Sequence, residues 1–106
     1  MHKLYKRAAA RRDLVEHFVC LAAEGGEALA ERFLSQTEAA CEVLLDQPEI
    51  GSPLVVDDPG LSGIRKWPVK DFENFLIFYL PHEQGVTIVR VLYARQDWWG
   101  LLGINV

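Results

Sequence analysis

Seven residues in the C-terminal half of the chain carry the groups best suited to binding or catalysis. They supply cations, a phenol, a carboxylate and an indole, and they are Arg65, Lys66, Arg90, Tyr93, Arg95, Asp97 and Trp98. Arg90 stands within an apolar block, where a buried cation without a partner is costly. Arg90 therefore either pairs with a carboxylate, from Asp97 or from the second helix, or lines a binding groove.

Two further pairs leave alternatives open. Arg65 and Lys66 begin a strand on opposite faces, so only one of them can point into an open groove. The pair Trp98-Trp99 either packs the last turn against the sheet or forms an exposed hot spot for a protein partner.

Motifs for metal binding and catalysis are missing from the sequence. His2, His17 and His82 are isolated, which favours surface or capping roles over a metal site. The sequence also has no nucleophile elbow and no glycine-rich phosphate loop. We therefore expect neither a metal nor a cofactor.

The length and composition of the chain favour one small globular unit. A chain of 106 residues can bury a core of its own, so we expect a single domain over residues 1–106. It has no membrane-spanning run and no secretory signal, and Cys20 and Cys41 are interpreted as two buried thiols in a reducing compartment. We expect a cytoplasmic protein without a membrane partner.

The net charge of −4 is unevenly distributed. Residues 1–12 carry five cations and no acid, whereas residues 13–60 carry eleven acids against one cation. An acidic chain is a poor general binder of nucleic acid, so no sequence-specific DNA binding is expected. The basic N-terminal segment is interpreted as a solvated edge strand that its lysines protect against edge-to-edge pairing.

Hydrophobic periodicity predicts the elements that position these residues. A strand is expected over residues 3–7, a helix from Asp13 to Gly25 and a second helix from Glu27 to Asp46. Asp13 is expected at the start of the first helix, where a carboxylate can cap free N–H groups. The short glycine link makes the two helices an antiparallel hairpin.

Three blocks rich in β-branched and aromatic residues follow, over residues 60–69, 74–79 and 86–98. Turn-forming residues separate these blocks, which predicts a three-stranded antiparallel meander. A brief strand is also expected at Leu54-Val55-Val56. The predicted fold class is α+β, with an N-terminal strand and the helical hairpin packed on one face of the sheet.

Both faces of the predicted meander are apolar. In the middle block Phe75, Ile77 and Tyr79 point to one face, and Leu76, Phe78 and Leu80 to the other. Strict alternation in the last block places Val86, Ile88, Arg90 and Leu92 on one face and Thr87, Val89, Val91 and Tyr93 on the opposite one. A sheet covered by helices on one side normally has a polar second face. We therefore expect something other than the helices to cover the second face.

Several ordered stretches resemble a known family. They are Ala10-Arg-Arg-Asp13-Leu14, Gln47-Pro48-Glu-Ile-Gly51, Gly63-Ile-Arg65-Lys-Trp-Pro68-Val69, Phe75-Leu-Ile-Phe-Tyr79, Ile88-Val-Arg90-Val-Leu92 and Ala94-Arg95-Gln-Asp97. In order and approximate spacing they resemble the RelE/ParE superfamily of type II toxin–antitoxin toxins, over nearly the whole chain. The resemblance implies a helical hairpin on an antiparallel sheet and a cognate antitoxin that covers the second sheet face and neighbouring hydrophobic surface. The residues expected to contact the antitoxin are Phe75, Ile77, Tyr79, Val89 and Val91.

The superfamily has two activities. RelE-like members cut messenger RNA on the ribosome with basic residues and a C-terminal Tyr or His, whereas ParE-like members inhibit DNA gyrase by binding. Here the middle block 75–79 has no Arg or Lys, and no Tyr or His follows Asp97. These departures favour a ParE-like toxin that is not an enzyme. Its target-binding residues are expected among Arg65, Lys66, Arg90, Arg95, Trp98 and Trp99, with the best candidate segment at 95–102.

Two alternatives remain. A RelE-like endoribonuclease, with the ribosome and messenger RNA as partners, would need a base, an acid and cations for the developing phosphorane. Its catalytic candidates are Arg65, Arg90, Tyr93 and Arg95. The other alternative is an inactive member that still binds an antitoxin, because Tyr93-Ala94 replaces a His-Gly pair that is frequent in the family.

Overall fold

The computed structural model describes residues 3–94, which form a five-stranded sheet with two helices on one face. The sheet order is β1-β5-β4-β3-β2; β1 pairs with β5 in parallel, and every other neighbouring pair is antiparallel. The elements run β1 Lys3–Lys6, α1 Ala8–Gly25, α2 Glu27–Asp46, β2 Ser52–Pro53, a 3-10 turn Pro59–Leu61, β3 Arg65–Val69, β4 Phe72–His82 and β5 Gly85–Tyr93. The predicted α+β class, with N-terminal strand, helical hairpin and meander, is confirmed. No helix in the described range has the length and apolar character needed to cross a membrane.

The edge position of β1 depends on Gly85 at the start of β5. Gly85 has a φ of 142° and stands opposite Lys3 in the parallel ladder. A Cβ at this position would collide with the Lys3 backbone, so only glycine lets the two strands approach. The predicted edge strand is therefore confirmed, with its pairing to β5 in the parallel direction.

The first helix begins five residues earlier than predicted. Ala8, Ala9 and Ala10 are strong helix formers and start α1 directly after β1. Asp13 lies inside the helix and is 5% exposed, so its expected role as a helix cap is wrong. The α2 bounds agree with the prediction, and Gly26, with a φ of 91°, separates the two helices.

The larger core lies between the helices and one face of the sheet. Phe33 and Leu44 of α2 are fully buried there against Ile77 and Tyr79 of β4. Val86, Ile88 and Val91 of β5 complete the sheet side of this core, which we call the helix-facing cluster.

The second face of the sheet is covered by the chain itself. Residues 54–64, which we call the strap, place Leu54, Val56, Leu61 and Ile64 against the sheet residues Leu76, Phe78, Leu80, Val89 and Leu92. The Leu54 N–H donates to the Ile64 carbonyl at 3.0 Å, and this hydrogen bond joins the two ends of the strap. The expectation that an external partner must cover this face is therefore wrong, and the brief strand lies at Ser52–Pro53 instead of 54–56.

A β-bulge breaks the alternation expected for β5. Phe78 pairs with Arg90 but Tyr79 pairs with Ile88, which leaves Val89 as the extra residue in the ladder. Ile88 and Val91 consequently lie in the helix-facing cluster, whereas Val89 and Leu92 contact the strap. The predicted sharing of one face by Ile88 and Leu92 is wrong for this reason.

Candidate functional site

The ion pair between Arg90 and Asp13 joins the sheet to the first helix. The Arg90 Nε donates to Asp13 Oδ2 at 2.7 Å, and its Nη2 donates to Asp13 Oδ1 at 2.8 Å. The two parallel hydrogen bonds match the planar guanidinium to the carboxylate. Hydrogen bonding to Asp13 raises the pKa of Arg90, although burial opposes the shift. The predicted structural salt bridge is confirmed, with a partner on α1 instead of Asp97 or the second helix.

Two side chains of α1 bind the outer edge of β5 where β1 has ended. The Val91 N–H donates to Asp13 Oδ2 at 3.0 Å, and the Val91 carbonyl lies 2.7 Å from the His17 Nε2. A carbonyl can only accept, so His17 is the donor in this contact. Asp13 and His17 are one helical turn apart, and together they satisfy both backbone groups of one strand residue.

His17 also contacts two aromatic rings of the helix-facing cluster. Its ring lies edge-on to Phe75 at 4.9 Å and to Phe33 at 6.0 Å between centroids. The expected surface or capping role of His17 is therefore only partly right: it caps backbone, but on a strand, and it is half-buried.

Arg65 is held by the link between α2 and β2. Its Nη1 donates to the Glu49 carbonyl at 3.0 Å and to the Gly51 carbonyl at 2.7 Å. The Tyr79 hydroxyl accepts from the Gly51 N–H and donates to the Pro48 carbonyl, each at 2.8 Å. A Cβ at Gly51 would lie 2.5 Å from this hydroxyl and 2.8 Å from the Lys66 carbonyl, so the link needs glycine there.

A groove of about 540 Å³ lies beside α1, at the end of β5. Its lining includes the rings of His17, Phe72, Phe75 and Tyr93, and the rings of Phe75 and Tyr93 are 5.2 Å apart between centroids. The acidic residues Glu24, Asp71 and Glu73 also line it. This groove contains the one predicted catalytic phenol, Tyr93, but neither Arg65 nor Arg90.

Among the described residues, the structure does not bring the predicted catalytic residues Arg65, Arg90 and Tyr93 together. Arg65 on β3 and Arg90 on β5 are separated by β4, and each is bound to a different part of the helical hairpin or its link. Lys66 lies opposite Phe78 in the ladder, on the face that the strap covers, and is half-buried. Arg95, Asp97, Trp98 and Trp99 lie outside the described residues. No group of three His, Cys, Asp or Glu side chains among residues 3–94 could hold a metal ion.

The residues expected to contact an antitoxin do not form one free surface. Ile77 and Tyr79 are fully buried and Val91 is 1% exposed, all three within the helix-facing cluster. Val89 is 5% exposed under the strap. Phe75 alone retains partial exposure, in the groove beside α1. The structure thus corrects the premise of this assignment, because the chain fills both sheet faces itself.

The roles of Asp13 and His17 were missed from the sequence. Both contact residues more than 70 positions away, so local patterns cannot reveal the pairing. A usable signal was present, since two polar residues at i and i+4 lie on the otherwise apolar side of α1, with Ala10, Leu14 and Leu21.

One comparison with known proteins identifies a family, and another supports the fold. Residues 5–98 match the family described as "ParE toxin of type II toxin-antitoxin system, parDE". The fold matches a solved structure titled "Chromosomal ParDE TA system from P. aeruginosa" with a TM-score of 0.72 and 16% identity, over 90% of this chain and 98% of that one. No match was found among curated proteins.

Proposed function

Because the chain belongs to the ParE toxin family of type II toxin–antitoxin systems, we propose that it inhibits DNA gyrase by binding in the cytoplasm and that a cognate antitoxin neutralises it. The family match over residues 5–98 carries the proposal.

The contacts of Arg65 and Arg90 support binding over RNA cleavage. Cleavage needs cations that are free to stabilise a phosphorane as it forms. Arg90 is instead bound to Asp13 through two hydrogen bonds, and Arg65 to two backbone carbonyls. Recruiting either side chain for catalysis would break contacts that hold the fold together.

The same contacts move the proposed target-binding surface toward the C-terminus. Of the six target-binding candidates, Arg65 and Arg90 are held by structural contacts and Lys66 is half-buried on the strap side. The segment 95–102 retains an arginine, two tryptophans and two leucines, a composition typical of interface cores. We place the gyrase contact in this segment, with Arg95 as its polar anchor.

A supercoiling assay with purified gyrase tests the proposal. The parent chain should inhibit supercoiling of relaxed plasmid and lead to cleaved DNA, and the antitoxin from the adjacent reading frame should reverse both effects. Arg95→Glu should weaken inhibition at least about tenfold, since one hot-spot residue contributes that much or more. Lys70→Glu, on the exposed turn between β3 and β4, is the matched control and should behave like the parent.

Two results would contradict the gyrase assignment. Undisturbed supercoiling together with codon-positioned cuts in translated messages, detected by primer extension, would indicate the RelE-like activity. Undisturbed supercoiling without such cuts, in a chain that still binds its antitoxin, would indicate an inactive member.

A further inference from the structure

The solvent side of α1 carries an apolar stripe that the fold of residues 3–94 leaves exposed. Val15 and Val19 stand one turn apart and are 64% and 60% exposed. They point away from Ala10 and Leu21, which are buried on the opposite side of the helix. A surface helix normally carries polar residues there, and valine forms helices less readily than alanine or glutamate. Nothing in the packing of α1 within residues 3–94 requires these valines.

Basic residues cluster at the N-terminal end of the same helix. Arg7, Arg11 and Arg12 are exposed, and α1 has no acid in its first turn. Cations at this end are disfavoured by the helix dipole, whose positive end lies there. None of the three takes part in an ion pair within residues 3–94. This accumulation of positive charge therefore opposes helix formation and suits an external anion.

The two features are adjacent. Arg11, Arg12, Val15 and Glu16 border a shallow depression of about 290 Å³ on the surface of α1. From Arg11 to Val19 the stripe extends about 12 Å, a little over two helical turns. From the N-terminal end of α1, a partner lying along the stripe would contact positive charge and then apolar surface.

We propose that this surface, which we call the α1 stripe (Arg11, Arg12, Val15 and Val19), binds an acidic amphipathic helix of the antitoxin. The inference rests on the proposed function, which supplies the partner. Carboxylates of that helix pair with Arg11 and Arg12, where the α1 dipole also favours negative charge. Its apolar residues, spaced one turn apart, pack on Val15 and Val19.

The valines distinguish this partner from nucleic acid. A phosphate backbone would use the arginines but gain nothing from two aliphatic side chains in the middle of the contact. The acids that follow, from Asp13 to Asp58, would also repel a long polyanion, whereas a short acidic helix ends before reaching most of them. Charge and apolar area together therefore fit an acidic amphipathic segment.

Titration calorimetry with the antitoxin from the adjacent reading frame tests the assignment. Val15→Asp and Val19→Asp should each weaken binding at least about tenfold, because both remove apolar contact and introduce repulsion. Val55→Asp is the matched control: Val55 is a 95% exposed valine on the strap, and its change should leave affinity within about twofold. Arg11→Gln with Arg12→Gln should weaken binding and reduce its dependence on salt. Thermal unfolding of each variant checks that α1 still folds. Val19→Ala, which introduces a good helix former, repeats the test without added charge.

The outcomes separate the inference from the proposed function. Equal affinity of the antitoxin for the parent and for all valine variants would overturn the α1 stripe while leaving the toxin–antitoxin pair intact. Binding of a 20-base-pair duplex through the arginines, unaffected by the valine changes, would assign the surface to nucleic acid and overturn the inference. Failure of the parent to bind the antitoxin would overturn both.

Discussion

The two faces of the sheet are covered by the same chain in different ways. On one face the hairpin of α1 and α2 packs in regular hydrogen-bonded turns around Phe33, Ile77 and Tyr79. On the other face the strap supplies an irregular cover, held by a few turn hydrogen bonds and by apolar contacts around Phe78. The helix-facing cluster is the larger of the two and contains most of the fully buried side chains.

This difference separates global stability from local stability. A helix cannot leave the sheet without losing its whole apolar side, whereas the strap can lift by breaking few backbone hydrogen bonds. Val55 at the outside of the strap is almost fully exposed. We infer that the helix-facing cluster determines whether the chain folds, and that the strap opens at a lower free energy than global unfolding.

Matched truncations on the two faces should give the largest contrast. Phe33 is fully buried and contacts the rings of His17, Phe72 and Phe75. Phe33→Ala should lower the free energy of unfolding by about 3–5 kcal/mol. Leu61→Ala, in the strap, should lower it by about 2 kcal/mol, because an irregular segment can collapse into the space. Urea unfolding followed by far-ultraviolet circular dichroism measures both values.

The same pair of variants can contradict the contrast. If Leu61→Ala costs as much as Phe33→Ala, the strap is as integral to the fold as the helices. A Val55→Ala variant controls for the mere change of an apolar strap residue, and its stability should match the parent.

The second contrast concerns the edge of β5, where α1 replaces a neighbouring strand. Asp13→Ala removes the partner of Arg90 and of the Val91 N–H together. Losing one side of a largely buried pair should lower the free energy of unfolding by about 3 kcal/mol. Glu16→Ala, on the exposed side of the same helix, should change it by less than about 0.5 kcal/mol. Similar small losses in both variants would mean that water replaces Asp13 at the strand edge.

The regular face was largely predictable from the sequence. Apolar spacing located α2 to the residue, and alternation placed Phe75, Ile77 and Tyr79 opposite Leu76, Phe78 and Leu80. These patterns are local, since each follows from the repeat of one element. The family resemblance used the same ordered stretches and is confirmed by the match over residues 5–98.

The irregular features depended on contacts that no local pattern encodes. The strap has no period, so its cover of the second face was mistaken for surface awaiting a partner. The bulge at Val89 adds one residue to the ladder. Each later residue of β5 therefore points to the sheet face opposite to the one that strict alternation predicts. Asp13 looked like a helix cap because its partner, Arg90, lies 77 residues away. The observed site differs from the predicted one for the same reasons, because Arg65 and Arg90 make structural contacts within the fold.

Alkaline pH should distinguish the two clusters by their chemistry. The helix-facing cluster contains the Cys41 thiol, whereas the apolar cluster under the strap consists, within residues 3–94, of aliphatic side chains and Phe78. Burial raises the pKa of Cys41 from 9.0 to about 11. The folded state therefore keeps this proton between pH 9 and 11, while the unfolded chain loses it. The contribution of the protonated thiol is fully present below pH 9 and decreases as the pH rises toward 11.

The expected decrease is about 2 kcal/mol in the free energy of unfolding, since one pKa unit corresponds to 1.36 kcal/mol. Urea unfolding at pH 8, 9, 10 and 11 measures it. Cys41→Ala should be less stable at pH 8 but should lose much of this pH dependence. The expectation that Cys20 is buried is wrong, and Cys20→Ser, which changes this exposed thiol, should keep the pH dependence. Burial also raises the pKa of Tyr79, so a smaller decrease in the same direction should persist in Cys41→Ala. Identical pH profiles for the parent and Cys41→Ala would show that the thiol ionises without opening the helix-facing cluster. Alkaline pH would then not distinguish the two faces of the sheet.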